Sequence, residues 1–214
     1  MSRSDTKAAS RRWFDRRAEG YERGLDSGWL ARMQREALAA LELGPQDRFL
    51  DVGCGPGATL RQMASSIRYG VGVDLSSEMV RRGRGLAHEL ERVDFCVADS
   101  ERLPFGAGAF TAVLCSTSFH HYPDPAQAVR EMARVLAPGG RLVIADASSD
   151  LVAARIADAF LRRFEPGHVH VHRSAELGAF VQSAGLSKVR LRRLSPGGYA
   201  IVHGTVPGGS PPAG

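Results

Sequence analysis

A glycine-rich turn flanked by acids is the part of this sequence whose residue types and spacing favour binding of a nucleoside. The turn lies in "LDVGCGPGATL", directly after a short apolar segment, and its glycines are Gly53, Gly55 and Gly57. Glycines at such a turn let a ligand approach the backbone where a helix begins. Asp51 precedes the turn, and Asp74 and Asp99 end the next two apolar segments.

The turn alone leaves two kinds of ligand open. It fits the G-x-G-x-x-G/A dinucleotide pattern, with Ala58 in the last place and Asp74 about 20 residues further on. However, a carboxylate at Asp51 would repel a pyrophosphate and attract a cationic amino group. Asp99 is placed to accept a hydrogen bond from an adenine amine. These acids favour a nucleoside that carries positive charge.

The elements that must position these residues alternate between strand and helix. Apolar strand segments are predicted at 48–52, 71–74, 93–98, 110–116 and 141–146. Helical segments between and after them are predicted at 57–67, 76–90, 124–136, 150–165 and 174–184. This alternation predicts a parallel sheet with helices on both faces. The last two strands, 188–194 and 199–206, are joined only by "SPGG" and must therefore pair antiparallel.

The first 43 residues are predicted to form two helices, the second beginning near Ser27. The first helix carries many basic residues, namely Arg3, Lys7, Arg11, Arg12, Arg16, Arg17 and Arg23. Acidic residues are interleaved with them, which indicates a solvated helix face, although a basic arm for nucleic acid is the alternative.

The bulk composition is that of an ordinary soluble domain. The chain has 214 residues, 43% apolar and 24% charged, with a net charge of +5. No apolar stretch is long enough to cross a bilayer and the N-terminus lacks the apolar core of a signal peptide, so we expect a cytoplasmic protein. Cys54, Cys96 and Cys115 have no metal-type spacing; Cys96 and Cys115 are expected to be buried thiols.

Five motifs, in order, resemble those of the class I S-adenosylmethionine-dependent methyltransferases, specifically the small-molecule enzymes related to ubiquinone and menaquinone biosynthesis. The motifs are "FLDVGCGPGATL", "VGVDLSSEMV", "ADSERLPF", "FTAVLCSTSFHHYPDP" and "EMARVLAPGGRLVIAD". The resemblance covers roughly residues 13–205. It implies an α/β Rossmann-like three-layer sandwich with a seven-stranded, mostly parallel sheet, a C-terminal antiparallel hairpin and an N-terminal helical lid.

The resemblance also implies a cofactor, S-adenosylmethionine, and roles for the matching positions. Asp51 would lie near the cofactor's ammonium, the glycines near its methionine part and Ser116 near its amino-acid end. Asp74 would bind the ribose hydroxyls and Asp99 the adenine amine. The remaining adenine contacts would be Leu75, Met79 and the backbone of Ser100. Met79 also fits a core position. The aromatic lid residues would be Trp13, Phe14 and Tyr21, of which Trp13 also fits an anchor for the lid.

The acceptor side is expected to follow the fourth strand, where "SFHHYPD" places His120 and His121. These are the candidate catalytic bases, although packing or capping is the alternative role, and Asp146 is a further candidate. In "HVHVH", alternate residues of an extended segment share a face, so His168, His170 and His172 could converge on a metal. Since no cysteine or carboxylate set accompanies them, we expect a substrate-pocket loop and no metal.

The predicted organisation is a lid segment at 1–44, a cofactor-binding methyltransferase domain at 45–206 and a disordered tail at 207–214. The predicted activity is methyl transfer to an oxygen, nitrogen or carbon of a small metabolite by a monomer or homodimer without membrane insertion. An RNA or protein methyltransferase using the basic segment is the alternative, and "CSTS" in place of an "NPPY"-type motif argues against nucleic acid. A nicotinamide oxidoreductase and a non-catalytic cofactor-binding protein also remain open.

Overall fold

The computed structural model describes residues 2–21, 28–194 and 198–208, and the side chains of residues 29 and 30 are not described. Its helices are α1 (Arg3–Arg17), α2 (Gly28–Leu41), α3 (Ala58–Met63), α4 (Ser77–Leu86), α5 (Pro125–Val135), α6 (Val152–Phe164) and α7 (Ser174–Ser183). Its strands are β1 (Arg48–Val52), β2 (Tyr69–Asp74), β3 (Val93–Val97), β4 (Phe110–Ser116), β5 (Leu136–Ala147), β6 (Ser187–Leu194) and β7 (Tyr199–Thr205). Short 3₁₀ turns cover Ala18–Gly20 and Phe119–His121.

The strands form one sheet in the order β3-β2-β1-β4-β5-β7-β6. The pairs β2–β3, β1–β2, β1–β4 and β4–β5 are parallel, and the pairs β5–β7 and β6–β7 are antiparallel. The predicted fold class and the C-terminal hairpin are therefore confirmed. The strand order reverses between β1 and β4, and ligands of open α/β sheets bind in the crevice at such a point.

Apolar residues fill both sides of the sheet, as the alternation along β1 shows. Leu50 and Val52 belong to the core layer that includes residues of α5 and α7. Phe49 belongs to the opposite layer, which includes residues of α2, α3 and α4. Since both faces are covered, the carboxyl ends of the strands are the place where the sheet can present polar groups.

Some predicted boundaries move in the structure. The helix after the glycine turn ends at Met63 rather than at residue 67, and β5 begins at Leu136 rather than at residue 141. Ser76 caps α4 and Asp124 caps α5, because their side-chain oxygens accept hydrogen bonds from the amides of Met79 and Gln127. The predicted Ser27 start, Arg23 and residues 209–214 of the tail lie outside the described residues.

All three cysteines are free thiols. Cys115 is buried as predicted, but Cys96 is only half-buried, because β3 is an edge strand. Within residues 2–21, 28–194 and 198–208, no helix is both long and apolar enough to cross a membrane.

Candidate active site

The glycine turn is held against β2 by the carboxylate of Asp74. Asp74 Oδ2 accepts a hydrogen bond from the Gly55 amide at 2.8 Å, and Oδ1 accepts one from the Ser76 amide at 2.8 Å. Burial raises the pKa of Asp74 to about 6, although the two amides oppose that rise. Asp74 therefore fixes the turn and also presents a carboxylate that a hydroxyl ligand could engage.

The three glycines of the turn face different neighbours, and all three have positive φ angles, of 74°, 53° and 77°. A Cβ on Gly55 would lie 3.4 Å from the Tyr21 ring, and one on Gly53 would overlap Ser118 and Tyr122. A Cβ on Gly57 would overlap the buried Phe95 ring. Gly57 thus lets the turn pack on the core, and its role as a cofactor contact stays a prediction.

Asp51 is a buried carboxylate beneath the turn, only 2% exposed. Burial raises its pKa to about 7, and the negative charge of Asp74 adds to the effect. It lines a cavity of about 30 Å³ together with Ser116, Gln34, Gly53 and residues of the turn. A desolvated carboxylate of this kind is complementary to a cationic group.

A second cavity, called here the cofactor cavity, joins most of the predicted cofactor positions. Its lining from the sheet side includes Gly53, Gly55, Asp74, Leu75, Met79, Asp99 and Ser100. Its volume is about 70 Å³, well below the roughly 300–1,000 Å³ of typical ligand sites. The other wall is the N-terminal segment, through Lys7, Ser10, Phe14 and Tyr21, so this segment must shift for a nucleoside to enter.

Polar contacts hold α1 over the cofactor cavity at three places. Lys7 Nζ lies 2.7 Å from Asp99 Oδ2 and 2.5 Å from Glu101 Oε2. Asp15 Oδ1 accepts from the Ser76 hydroxyl at 2.6 Å. Arg3 pairs with Asp124 at 2.8 Å. The helix therefore touches the same strand ends that carry the predicted cofactor acids.

A third cavity, called here the acceptor cavity, has a volume of about 630 Å³. Its walls include Trp13, Phe14, Arg16, Arg17, Tyr21, Thr117, His120, His121 and Glu165. It shares Phe14, Tyr21, Thr117 and His121 with the cofactor cavity. Thr117 has φ 56°, a strained value for a β-branched residue, and such strain concentrates at functional sites.

His120 and His121 differ in their hydrogen-bond partners. His120 Nδ1 lies 2.8 Å from Asp146 Oδ1, and the His120 amide donates to Asp146 Oδ2. Burial alone would lower the pKa of His120, but the Asp146 carboxylate outweighs it and raises that pKa. His121 Nδ1 donates to the Gly167 carbonyl at 3.0 Å. Burial lowers the pKa of His121 to about 3, with its neighbour His120 contributing, so His121 is neutral.

The comparisons with known proteins agree with this geometry. Residues 50–144 match a family model described as a methyltransferase domain. The demethylmenaquinone methyltransferase of Mycolicibacterium vanbaalenii is 32% identical over 200 residues, covering 84% of this chain and 83% of that protein. The chain belongs to the class I S-adenosylmethionine-dependent methyltransferases.

One further relative matches in sequence, and one solved structure matches in fold. Methyltransferase GfsG of Streptomyces halstedii is 34% identical over 187 residues, covering 80% of this chain and 65% of that protein. The crystal structure of YcgJ from Bacillus subtilis superimposes with a TM-score of 0.73 at 22% identity, covering 84% of this chain and 100% of that one. The YcgJ likeness concerns the fold alone.

The structure differs from the sequence-based expectation at two places, Asp146 and the "HVHVH" histidines. Asp146 is 1% exposed and accepts hydrogen bonds from His120, so it positions that ring and does not line the acceptor cavity. The "HVHVH" histidines do not converge on one point. One ring nitrogen of His168 clusters with His120 and His121, whereas His170 and His172 cluster with Glu176.

Several residues of the methyltransferase site were missed by sequence reasoning, namely Lys7, Ser10, Thr117, Tyr122 and Glu165. Thr117 follows the predicted fourth strand directly, so its position was a usable signal. Lys7 and Glu165 carried no such signal, because distant segments bring them to the site.

Proposed function

We propose that this methyltransferase transfers the methyl group of S-adenosylmethionine to an oxygen, nitrogen or carbon of a small molecule by in-line displacement. The observation that carries the proposal is the shared wall of the two cavities. Phe14, Tyr21, Thr117 and His121 line both the cofactor cavity and the acceptor cavity. Because the two cavities adjoin at these residues, a cofactor in one and an acceptor in the other can place their reacting atoms next to each other. Such positioning supplies much of the rate of group transfer.

The donor set fits the proposed cofactor. Asp51 is a desolvated carboxylate suited to the ammonium group, with Gly53 and Ser116 beside it in the same small cavity. Asp74 would bind the ribose hydroxyls, and Asp99 the adenine amine. Leu75 and Met79 would pack on the adenine face, and the Ser100 backbone would contact the ring. When bound, the cofactor supplies a methyl group already activated by the sulfonium.

The lid would close these residues around the ligands. Asp99 Oδ1 accepts from the Glu101 amide, and Oδ2 accepts from Lys7, so an adenine amine would compete with Lys7 for Oδ2. We infer that α1 moves when the cofactor enters and then returns to exclude water. This makes α1 the lid of the proposed 1–44 segment, whereas α2 belongs to the core layer that also includes Phe49.

The acceptor cavity favours a planar ring. Trp13, Phe14 and Tyr21 supply aromatic walls, and Arg16 and Arg17 add positive charge. Its volume of about 630 Å³ lies within the range of small-molecule sites. The name of the Mycolicibacterium relative, demethylmenaquinone methyltransferase, also concerns a ring compound. A phenol or quinol-like acceptor suits these walls.

His120 and His121 would act on the acceptor group. Nδ1 of each ring is engaged, by Asp146 and by the Gly167 carbonyl, which leaves Nε2 of each ring to face other partners. An imidazole placed there can receive the acceptor's proton, and general-base catalysis contributes about 10²–10⁴-fold. Asp146 fixes the tautomer and orientation of His120.

Methyl transfer from labelled S-adenosylmethionine tests the proposal, with panels of phenols, amines and carbon acids as acceptors. We expect label in a small organic product for the wild-type protein. Transfer to RNA or to protein, with none to the small-molecule panels or to a metabolite extract, would contradict it. Trp13→Ala tests the acceptor cavity separately, because Trp13 lines this cavity and not the cofactor cavity. This variant should raise KM for the acceptor more than KM for the cofactor.

A further inference from the structure

Three histidine rings from two distant segments meet beside the acceptor cavity. His120 and His121 follow β4, and His168 lies between α6 and α7. One ring nitrogen of each lies within 4.8 Å of the corresponding nitrogens of the other two. The backbone fixes the meeting, since the amides of residues 169 and 170 both donate to the His120 carbonyl at 3.1 Å.

Each ring is oriented by an acceptor that engages one of its two nitrogens. Asp146 Oδ1 lies 2.8 Å from His120 Nδ1, and Asp158 Oδ1 lies 2.8 Å from His168 Nε2. The Gly167 carbonyl lies 3.0 Å from His121 Nδ1. When a ring is neutral, its acceptor holds the proton on the engaged nitrogen, so the second nitrogen carries the lone pair. Metal-ligating histidines characteristically donate their second nitrogen to a carboxylate or carbonyl in this way.

The second nitrogen of His168, Nδ1, lacks a hydrogen-bond partner among the residues that the structure describes. Its side chain is only 1% exposed. A buried polar atom without a partner carries a desolvation cost of about 1–3 kcal/mol. Imidazole lone pairs clustered in this way suit a shared positive centre, and the carboxylates of Asp146 and Asp158, which hold His120 and His168, favour a cation there.

We propose that His120, His121 and His168 bind one divalent transition-metal ion of the zinc type. Imidazole nitrogen suits zinc, copper, iron and nickel, and catalytic zinc sites combine three protein ligands with one open position. Zinc–nitrogen bonds of about 2.0–2.1 Å would draw the three nitrogens together through small side-chain rotations. The site replaces the expectation of no metal, and it uses only one histidine of "HVHVH".

The open position would face the acceptor cavity, because His120 and His121 line it. A hydroxyl of the acceptor bound to the ion would lose its proton more easily, as metal-bound water does, and the Glu165 carboxylate, which lines the same cavity, would take that proton. With the ion bound, His120 and His121 act as ligands, and activation of the acceptor passes to the metal. This catalytic consequence rests on the proposed function, whereas binding of the ion does not.

Cobalt titration of metal-free, tag-free full-length protein tests the site. We expect visible absorption of tetrahedral intensity that saturates at about one equivalent, and about one zinc per chain after reconstitution and dialysis. His168→Ala should lose both signals. His168→Gln, which keeps a donor toward Asp158, should fold and lose them too. His170→Ala is the matched control, since His170 belongs to the other cluster, and it should keep both.

Zinc should also raise the melting temperature of the wild type and of His170→Ala, but not that of His168→Gln. Saturation by cobalt in His168→Gln as in the wild type, or no binding by a folded wild-type protein, would overturn the site. S-adenosylhomocysteine binding measured on the same samples separates the two proposals. A wild type that binds S-adenosylhomocysteine but no metal refutes only the metal site.

Discussion

Lys7 Nζ lies 2.7 Å from Asp99 Oδ2, which ties the N-terminal helix α1 to the end of β3. The Lys7 side chain is 22% exposed, so the ion pair is partly screened and worth up to about 1 kcal/mol. Because this contact crosses the cofactor cavity, its loss should make α1 open more often without lowering the free energy of global unfolding by much.

Lys7→Met should therefore speed amide exchange in α1 by up to about fivefold, the factor that corresponds to about 1 kcal/mol. The midpoint of urea unfolding should change little. Hydrogen exchange followed by mass spectrometry measures the effect, with Arg11→Met, an exposed residue of the same helix, as the control. Equal exchange in the two variants would show that Lys7 does not hold the lid.

Asp51 should make cofactor binding depend on pH. Its pKa is raised to about 7, so it is half-protonated near neutrality, and only the ionised form attracts an ammonium group. Affinity of the wild type for S-adenosylhomocysteine should fall as pH drops through about 7. Asp51→Asn should bind S-adenosylhomocysteine more weakly, and its affinity should not change as the pH passes through about 7. Isothermal titration at several pH values measures both, and parallel profiles for the two proteins would contradict the role.

The same carboxyl predicts the pH dependence of stability. The folded pKa of Asp51 lies above its ordinary value of 3.8, so the folded state retains a proton that the unfolded state releases. Its contribution to stability is therefore full below about pH 4 and is lost as pH rises to about 7. At pH 8, Asp51→Asn should have a higher melting temperature than the wild type. The difference should be about 2–4 °C for each kcal/mol added to the free energy of unfolding. A lower melting temperature would be the contrary result.

Gly55 and Gly57 should respond differently to alanine. Gly57→Ala forces a side chain onto Phe95 at a positive φ, whereas Gly55→Ala meets Tyr21 at an ordinary contact distance of 3.4 Å. A left-handed alanine costs about 1–2 kcal/mol in either case, and the overlap adds to it at Gly57. Urea denaturation should show the larger loss in Gly57→Ala, while Gly55→Ala should mainly weaken cofactor binding. A larger loss of stability in Gly55→Ala than in Gly57→Ala would contradict the packing of Gly57 against Phe95.

His120→Ala and His121→Ala should each lower turnover at saturating cofactor. A lost base reduces kcat by about 10²–10⁴-fold, whereas S-adenosylhomocysteine affinity should change less. His170→Ala serves as the control, because this half-buried ring lines neither cavity. If both variants turn over as fast as the wild type, neither histidine takes part in the chemistry.

The central strands could be predicted from sequence because each is a short apolar run bounded by turn residues. The structure gives β1 and β4 the predicted bounds, Arg48–Val52 and Phe110–Ser116. The structure extends β5 back to Leu136, which pairs with Phe110 of β4. Residues 137–140 form an irregular stretch with Gly139 at φ 77°, and the continuous registers with β4 and β7 begin at Arg141. The Pro-Gly-Gly sequence therefore still interrupts the pairing, although β5 extends past it.

The acids at the strand ends could be predicted because parallel strands carry their carboxyl ends to one edge. Lys7 and Glu165 could not, because each reaches the site only through packing between distant segments. The "HVHVH" pattern suggested a common face, and Asp158 does pair with both His168 and His170. The three rings nevertheless do not meet, since His168 groups with His120 and His121, whereas His170 and His172 group with Glu176.

The binding of S-adenosylhomocysteine is the most direct test of the central claim, that the cavity beside Asp74 holds this cofactor. At about 100 times its dissociation constant, the ligand should stabilise the wild type by about 2.7 kcal/mol, or about 5–10 °C. NAD at the same concentration should not. Asp74→Ala should lose most of the gain measured against its own ligand-free melting temperature. An equal shift in Asp74→Ala, or a larger shift with NAD, would contradict the account.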